Sequence, residues 1–199
     1  MKKWISVALA TFCTVSFADD EFLRGLDRLI AGVSNQTLKQ TMICEKEAMY
    51  IHKDPQQCKK ALDMLLTMSK KATKNSLLRC EFFGNDEERC KQEQPDAYQM
   101  TDKEFFNLQL VSSYVNAGAL YYENKMYEKS FAMYKKAIEY DPNKASAHFG
   151  VAAGYYYGRG ITMNENKAYE HWRIAAKLGN QEAKNILGLL CEDNPSICK

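Results

Sequence analysis

"VSSYVNAGALYYENKMYEKSFAMYKKAIEYDPNK", residues 111–144, decides the fold of this chain. Small residues (Gly118, Ala137) recur among large aromatic ones (Tyr114, Tyr121, Tyr134), and Pro142 closes the stretch. Close packing of antiparallel helices accounts for such a pattern. Small residues let two helices approach, large ones fill the groove between them, and a proline ends the pair.

The next stretch repeats the arrangement at greater length: "ASAHFGVAAGYYYGRGITMNENKAYEHWRIAAKLGNQEAKNILGLL", residues 145–190. Ala183 and Leu187-Gly188 restart the pattern 36 residues after Ala147 and Val151-Ala152. Internal repetition at such a period is the mark of a stacked helical array. The first unit resembles a tetratricopeptide repeat, with weaker matches at Ala117 and Ser130. The second resembles a Sel-one-like repeat, the longer-looped relative. Its matches are Ala147, Val151-Ala152, Tyr155, Gly158, Gly160-Ile161, Lys167-Ala168, Ala175-Ala176 and Gly179, with His171-Trp172 at the usual Trp-Tyr positions. The resemblance implies a short α-solenoid whose inner helices line a concave face. Carried over position by position, that face takes Tyr122 and Glu123 from the first unit and Tyr156 and Tyr157 from the second. Val115, Ala119, Phe149, Ala153 and Asn185 also fall on it. Tyrosines offer large contact area at low entropic cost, so Tyr122, Glu123, Phe149, Tyr156, Tyr157 and Asn185 are the expected partner-binding residues. The competing reading is that an N-terminal hairpin covers this face as a cap. Val115 and Ala119 replace the Lys and Asn of carboxylate-clamping relatives, so capture of a free C-terminus is not implied.

Upstream, helical spacing continues. Phe22, Leu26, Leu29, Ile30 and Val33 predict one amphipathic helix, and a second is expected from about Gln36 to Ile51. Asp54-Pro55 supplies an N-cap and a proline at the first helical position. Cys58, Ala61, Leu62, Leu65, Leu66 and Ala72 then form one apolar stripe. Residues 76–103 read as irregular. No alternating strand pattern bounded by hairpin turns occurs, so the fold class is all-α.

The chain starts "MKKWISVALATFCTVSFADDEF". Two lysines, an apolar run from Trp4 to Val15 and small residues ending at Ala18 predict a secretory signal peptide over residues 1–18. Residues 19–100 then form an N-terminal helical region with a disulfide loop, and residues 101–199 the repeats with a C-terminal cap. The expected location is periplasmic or secreted, with no membrane insertion after removal of the signal. Of 27 basic and 25 acidic residues, the signal takes two lysines, which leaves a neutral chain and no reason to expect a nucleic-acid partner.

Removing Cys13 with the signal leaves six cysteines, an even number for an oxidising compartment. Cys80 and Cys90 flank Gly84-Asn85-Asp86, which can reverse the chain between them. Cys191 and Cys198 would stand about 10 Å apart on one straight helix, but Asn194-Pro195 lets the tail fold back. Elimination pairs Cys44 with Cys58, although an ideal hairpin would leave these two out of register by more than a turn. The chain has no Cys-x-x-Cys, and His52, His148 and His171 stand at no ligand spacing, so no metal or other cofactor is expected.

Enzyme signatures are as sparse: no Gly-x-Ser-x-Gly elbow, Walker loop or His-Glu-x-x-His motif occurs. Ser196-Ile197-Cys198-Lys199 matches the Ser-x-x-Lys of penicillin-binding enzymes, without the Lys-Thr-Gly strand that chemistry needs. Some secreted, cysteine-rich Sel-one-like proteins have been linked to β-lactams, so a hydrolase of cell-wall peptide or β-lactam is the alternative. "GYYYGRG", residues 154–160, carries glycines around a cation but lacks the strand before it and the helix directly after it that a phosphate loop requires. It reads as a helix end, a glycine cap at Gly158 and a turn, with Tyr155 directed into the packing. His148 and His171 read as partly buried packing residues. The sequence therefore predicts an exported, non-enzymatic helical-repeat protein that binds a protein or peptide, as scaffold, adaptor or inhibitor, including a toxin-neutralising immunity protein. It sets no oligomeric state.

Overall fold

The computed structural model describes residues 36–48, 53–71 and 99–193, with positions 24, 27, 28, 30, 31, 88, 91 and 92. Readings placed on the signal segment, on Cys80, Cys90 and Cys198, and on Ser196 and Lys199 lie outside the described residues. The described elements are all helical: α1 (Gln36–Lys46), α2 (Pro55–Lys71), α3 (Asp102–Glu123), α4 (Tyr127–Tyr140), α5 (Ala145–Tyr157), α6 (Glu165–Lys177) and α7 (Gln181–Asp193). Each packs on its neighbour in the chain, with weaker contacts from α1 to α3 and from α3 to α5. No described helix is long and apolar enough to cross a membrane.

Local chemistry sets the helix ends. Thr101 and Glu104 form a reciprocal capping box at the start of α3, each side chain bonding the other's backbone N–H. Asn164 caps α6 by accepting from the Lys167 N–H at 3.0 Å, and Asn180 caps α7 by accepting from Ala183 at 2.7 Å. Asp54 does the same for α2, accepting from the Gln56 N–H at 2.9 Å ahead of Pro55. α5 ends as expected at Gly158, which is left-handed with φ 62°. Glu88, Lys91 and Gln92, in the stretch read as irregular, are helical and exposed. They belong to a run of good helix formers after Gly84-Asn85-Asp86.

Cys44 and Cys58 are bonded, with Cα atoms 4.4 Å apart, and both are fully buried. The register objection fails: α1 runs from Gln36 to Lys46 and widens into a π-type turn over Glu47–Ala48, which departs from the ideal hairpin. Each cysteine then sits within about a turn of its helix end, where two antiparallel helices are level. Around the disulfide, Ala61, Leu62 and Leu65 of α2 pack on Phe105, Phe106, Leu110, Tyr114, Ala117, Leu120 and Tyr121 of α3. A second cluster joins Ala152 of α5, Ala168, Trp172 and Ala175 of α6 and Ala183 of α7.

α4 links the two clusters through glycine notches. A Cβ on Gly150 would stand 2.5 Å from the Tyr134 ring, and one on Gly118 would stand 2.9 Å from its opposite edge. One helical turn further along α5, a Cβ on Gly154 would stand 2.6 Å from Phe131. Tyr134 and Phe131, three apart on α4, thus insert where α3 and α5 have no side chain. Ser130, also buried, donates to the Gly118 carbonyl at 2.7 Å and fixes the α3–α4 register.

Two outcomes follow. Gly150→Ala should destabilise the fold by about 1–3 kcal/mol although alanine is the better helix former, because overpacking outweighs propensity. In a Tyr134→Ala background the same substitution should be neutral or stabilising, which a double-mutant cycle in urea would measure. Replacing Cys44 and Cys58 together by alanine should cost about 2–4 kcal/mol, read as a lower thermal midpoint than that of the oxidised protein.

Candidate functional site

The expected partner-binding residues divide into two groups. Phe149 and Tyr156 of α5 are half-buried against the second cluster. The Tyr156 ring lies 5.0 Å from Trp172 and 6.5 Å from Tyr169. Tyr122 is half-buried at the end of α3, while Glu123 beside it, Tyr157 and Asn185 are exposed. Asn185 accepts from the Gln181 side chain at 3.0 Å on α7.

Tyr122 and Tyr157 are brought together by Arg159, a residue the sequence reading treated only as part of a turn. The guanidinium carbon lies 5.0 Å from the Tyr157 ring centre, 5.1 Å from Tyr127 and 5.3 Å from Tyr122. One of its Nη groups donates to the Tyr122 hydroxyl. The three rings come from the end of α3, the start of α4 and the end of α5, so one cation joins three helices. Two glycines deliver it. Gly158 reverses the chain so that the Arg159 N–H donates to the Gly154 carbonyl at 2.9 Å. Gly160, at φ 79°, lies so close to α4 that a Cβ would stand 2.2 Å from the Tyr127 carbonyl oxygen. The sequence signal was the Gly-Arg-Gly triplet beside tyrosines; Tyr127 is 32 residues away and gave none.

Tyr155 turns into the packing as expected, edge-on to Phe131 at 5.2 Å and stacked on His171 at 6.0 Å. His148 is buried, and its Nε2 lies 2.9 Å from the Pro142 carbonyl oxygen. A carbonyl only accepts, so Nε2 carries the proton and neutral His148 offers a lone pair at Nδ1. That atom is 2.9 Å from Nδ1 of His171, which must therefore donate. Burial first, then the neighbouring His148, pushes the His171 pKa down to about 4; Glu170 opposes the shift, and Lys135 and Lys167 add to it. On α1, burial pushes Glu45 up to about 7.

Among the described residues, no group of three or more His, Cys, Asp or Glu side chains is placed to hold a metal ion. Cys191 is disulfide-bonded. Compared with known proteins, the chain matches no family model, no curated protein and no solved structure.

The two shifted groups act on stability with opposite signs. His171 binds its proton less well folded than unfolded, so its contribution is complete above pH 6.5 and is lost as pH falls through about 4. Glu45 binds its proton better folded, so its contribution is complete below pH 4.5 and is lost as pH rises through about 7. Urea unfolding from pH 7 to 4 should therefore show His171→Gln flattening the acid-side loss by about 1–3 kcal/mol, while Glu45→Gln steepens it.

Proposed function

We propose that the protein is an exported binding protein, a short α-solenoid of tetratricopeptide-like and Sel-one-like repeats that recognises another protein or peptide without turnover. An inhibitor, including an immunity protein that neutralises a toxin, is one form of this activity. One observation carries the reading: Arg159 gathers Tyr122 and Tyr157, from different helices, into a single cluster at the protein surface. Tyrosine and arginine held rigidly together are the residues on which binding energy concentrates in protein interfaces. Tyr157 is 57 % exposed, a large apolar area for folding to leave in water. The chain-neighbour packing of the helices fits a repeat array, in which one surface of each unit joins a continuous binding face. Glu123, beside Tyr122, and Asn185 on α7 are the exposed polar positions the reading adds, while Phe149 and Tyr156 pack against the second cluster.

The test is capture of partners from a periplasmic extract by the immobilised wild-type protein and by a Tyr122→Ala/Tyr157→Ala variant. Tyr156 is left in place because it packs on Trp172. The double variant should lose the wild-type partner by at least about tenfold, as two interface anchors predict, with an unchanged circular dichroism spectrum. Undiminished capture would sink the reading.

A further inference from the structure

Arg159 is held without an anion. Its one hydrogen bond to a side chain goes to the neutral Tyr122 hydroxyl, and among the described residues no carboxylate lies within ion-pair distance of it. The hydrogen bond to the Tyr122 hydroxyl, and then the three rings, favour the charged guanidinium, so the cation is held by polar and ring contacts rather than by an acid. The surroundings are also unusual for a solvated turn. Tyr157, the last residue of α5, is 57 % exposed, and Met163 and Ile161, in the loop that carries Arg159, are 61 % and 38 % exposed. Exposed apolar residues beside a ring-held cation with no acid among the described residues are the ingredients of an interface hot spot, where apolar neighbours exclude water from a charged contact.

We propose that the α5–α6 loop is the primary docking surface and that the partner presents to it an acidic side chain flanked by apolar residues. The carboxylate takes the Arg159 N–H groups not turned toward Tyr122, and the flanking residues cover Tyr157, Ile161 and Met163. The three rings hold the guanidinium in place beforehand, so little rotamer freedom is lost on binding. Glu123 and Glu128, at the nearby ends of α3 and α4, repel an anion that is not aimed at the guanidinium, and this favours a single placed carboxylate over a run of acids. The inference rests on the reading of the protein as a binder and adds the chemistry of its partner.

The probe is a short end-capped peptide with a single glutamate between leucines, compared with its glutamine counterpart. The readout is the Arg159 side-chain Nε–Hε resonance of isotopically labelled wild-type protein. The glutamate peptide should shift it saturably and bind about five- to tenfold tighter than the glutamine peptide, with the difference shrinking in high salt. Arg159→Gln should abolish that difference and Arg159→Lys should keep part of it. Equal binding of the two peptides to the wild-type protein overturns the proposal without recourse to any variant, as does an equal response to acetate alone. In the partner-capture assay, retention by Arg159→Gln together with loss by Tyr122→Ala/Tyr157→Ala would overturn the carboxylate inference and leave the binding reading in place.

Discussion

The fit of two α4 rings into the glycine notches of α3 and α5 is the constraint from which the rest of the molecule follows. Tyr134 lies between Gly118 and Gly150, and Phe131 fills the gap at Gly154. Any Cβ at these positions would come closer than side chains approach one another, so the separation of α4 from α5 is set by the thickness of a ring. Burial pushes the Tyr134 hydroxyl well above the usual phenol range, with Glu123 and Tyr122 adding to it, so the ring stays neutral there. With α5 seated in this way, its C-terminal glycine cap faces the start of α4, and Gly160 can lie against the Tyr127 backbone. Packing in the core thus sets the position of a charge at the surface.

The two clusters on either side of α4 are built differently. The N-terminal one is rich in leucine and phenylalanine and is tied by the Cys44–Cys58 bond. The C-terminal one consists of alanines around Trp172, ringed by half-buried tyrosines. Alanine faces bring helices close but bury little area, so the aromatic side chains supply much of the apolar contact there. Polar groups within it are paired where the geometry allows, as in the His148–His171 contact, while the Trp172 indole N–H has no partner among the described residues. Aromatic residues therefore serve both stability and the candidate surface. Tyr156 belongs mostly to the first role and Tyr157 to the second, although they are neighbours in sequence, because a helix turns successive residues about 100° apart.

Much of this was legible from residue order. The glycine cap at Gly158, the inward turn of Tyr155 and the N-cap at Asp54 each depend on a few adjacent residues, and each is found where the local pattern put it. The Cys44–Cys58 pair was reached by elimination against a register argument that assumed an ideal hairpin. Where a helix stops depends on the packing of its last turn as well as on propensity, and the widened turn at Glu47–Ala48 has no clear sequence mark. Arg159 was overlooked for a related reason. Its role comes from rings on three helices, and no rule of local spacing joins Tyr122, Tyr127 and Tyr157 to it.

Periodicity and caps determined by themselves that the described residues are helical, that α2 starts at Asp54-Pro55 and that α5 ends at Gly158, because those features are governed by contacts within a turn or two. The paired chemistry was decided only in three dimensions. The His148–His171 contact spans 23 residues, and the Arg159–Tyr122 bond spans 37. Each requires helices to be brought to a particular distance and rotation, and side-chain volume in the core sets both. Residue identity supplied the cation and the rings; close packing at Gly118, Gly150 and Gly154 placed them together.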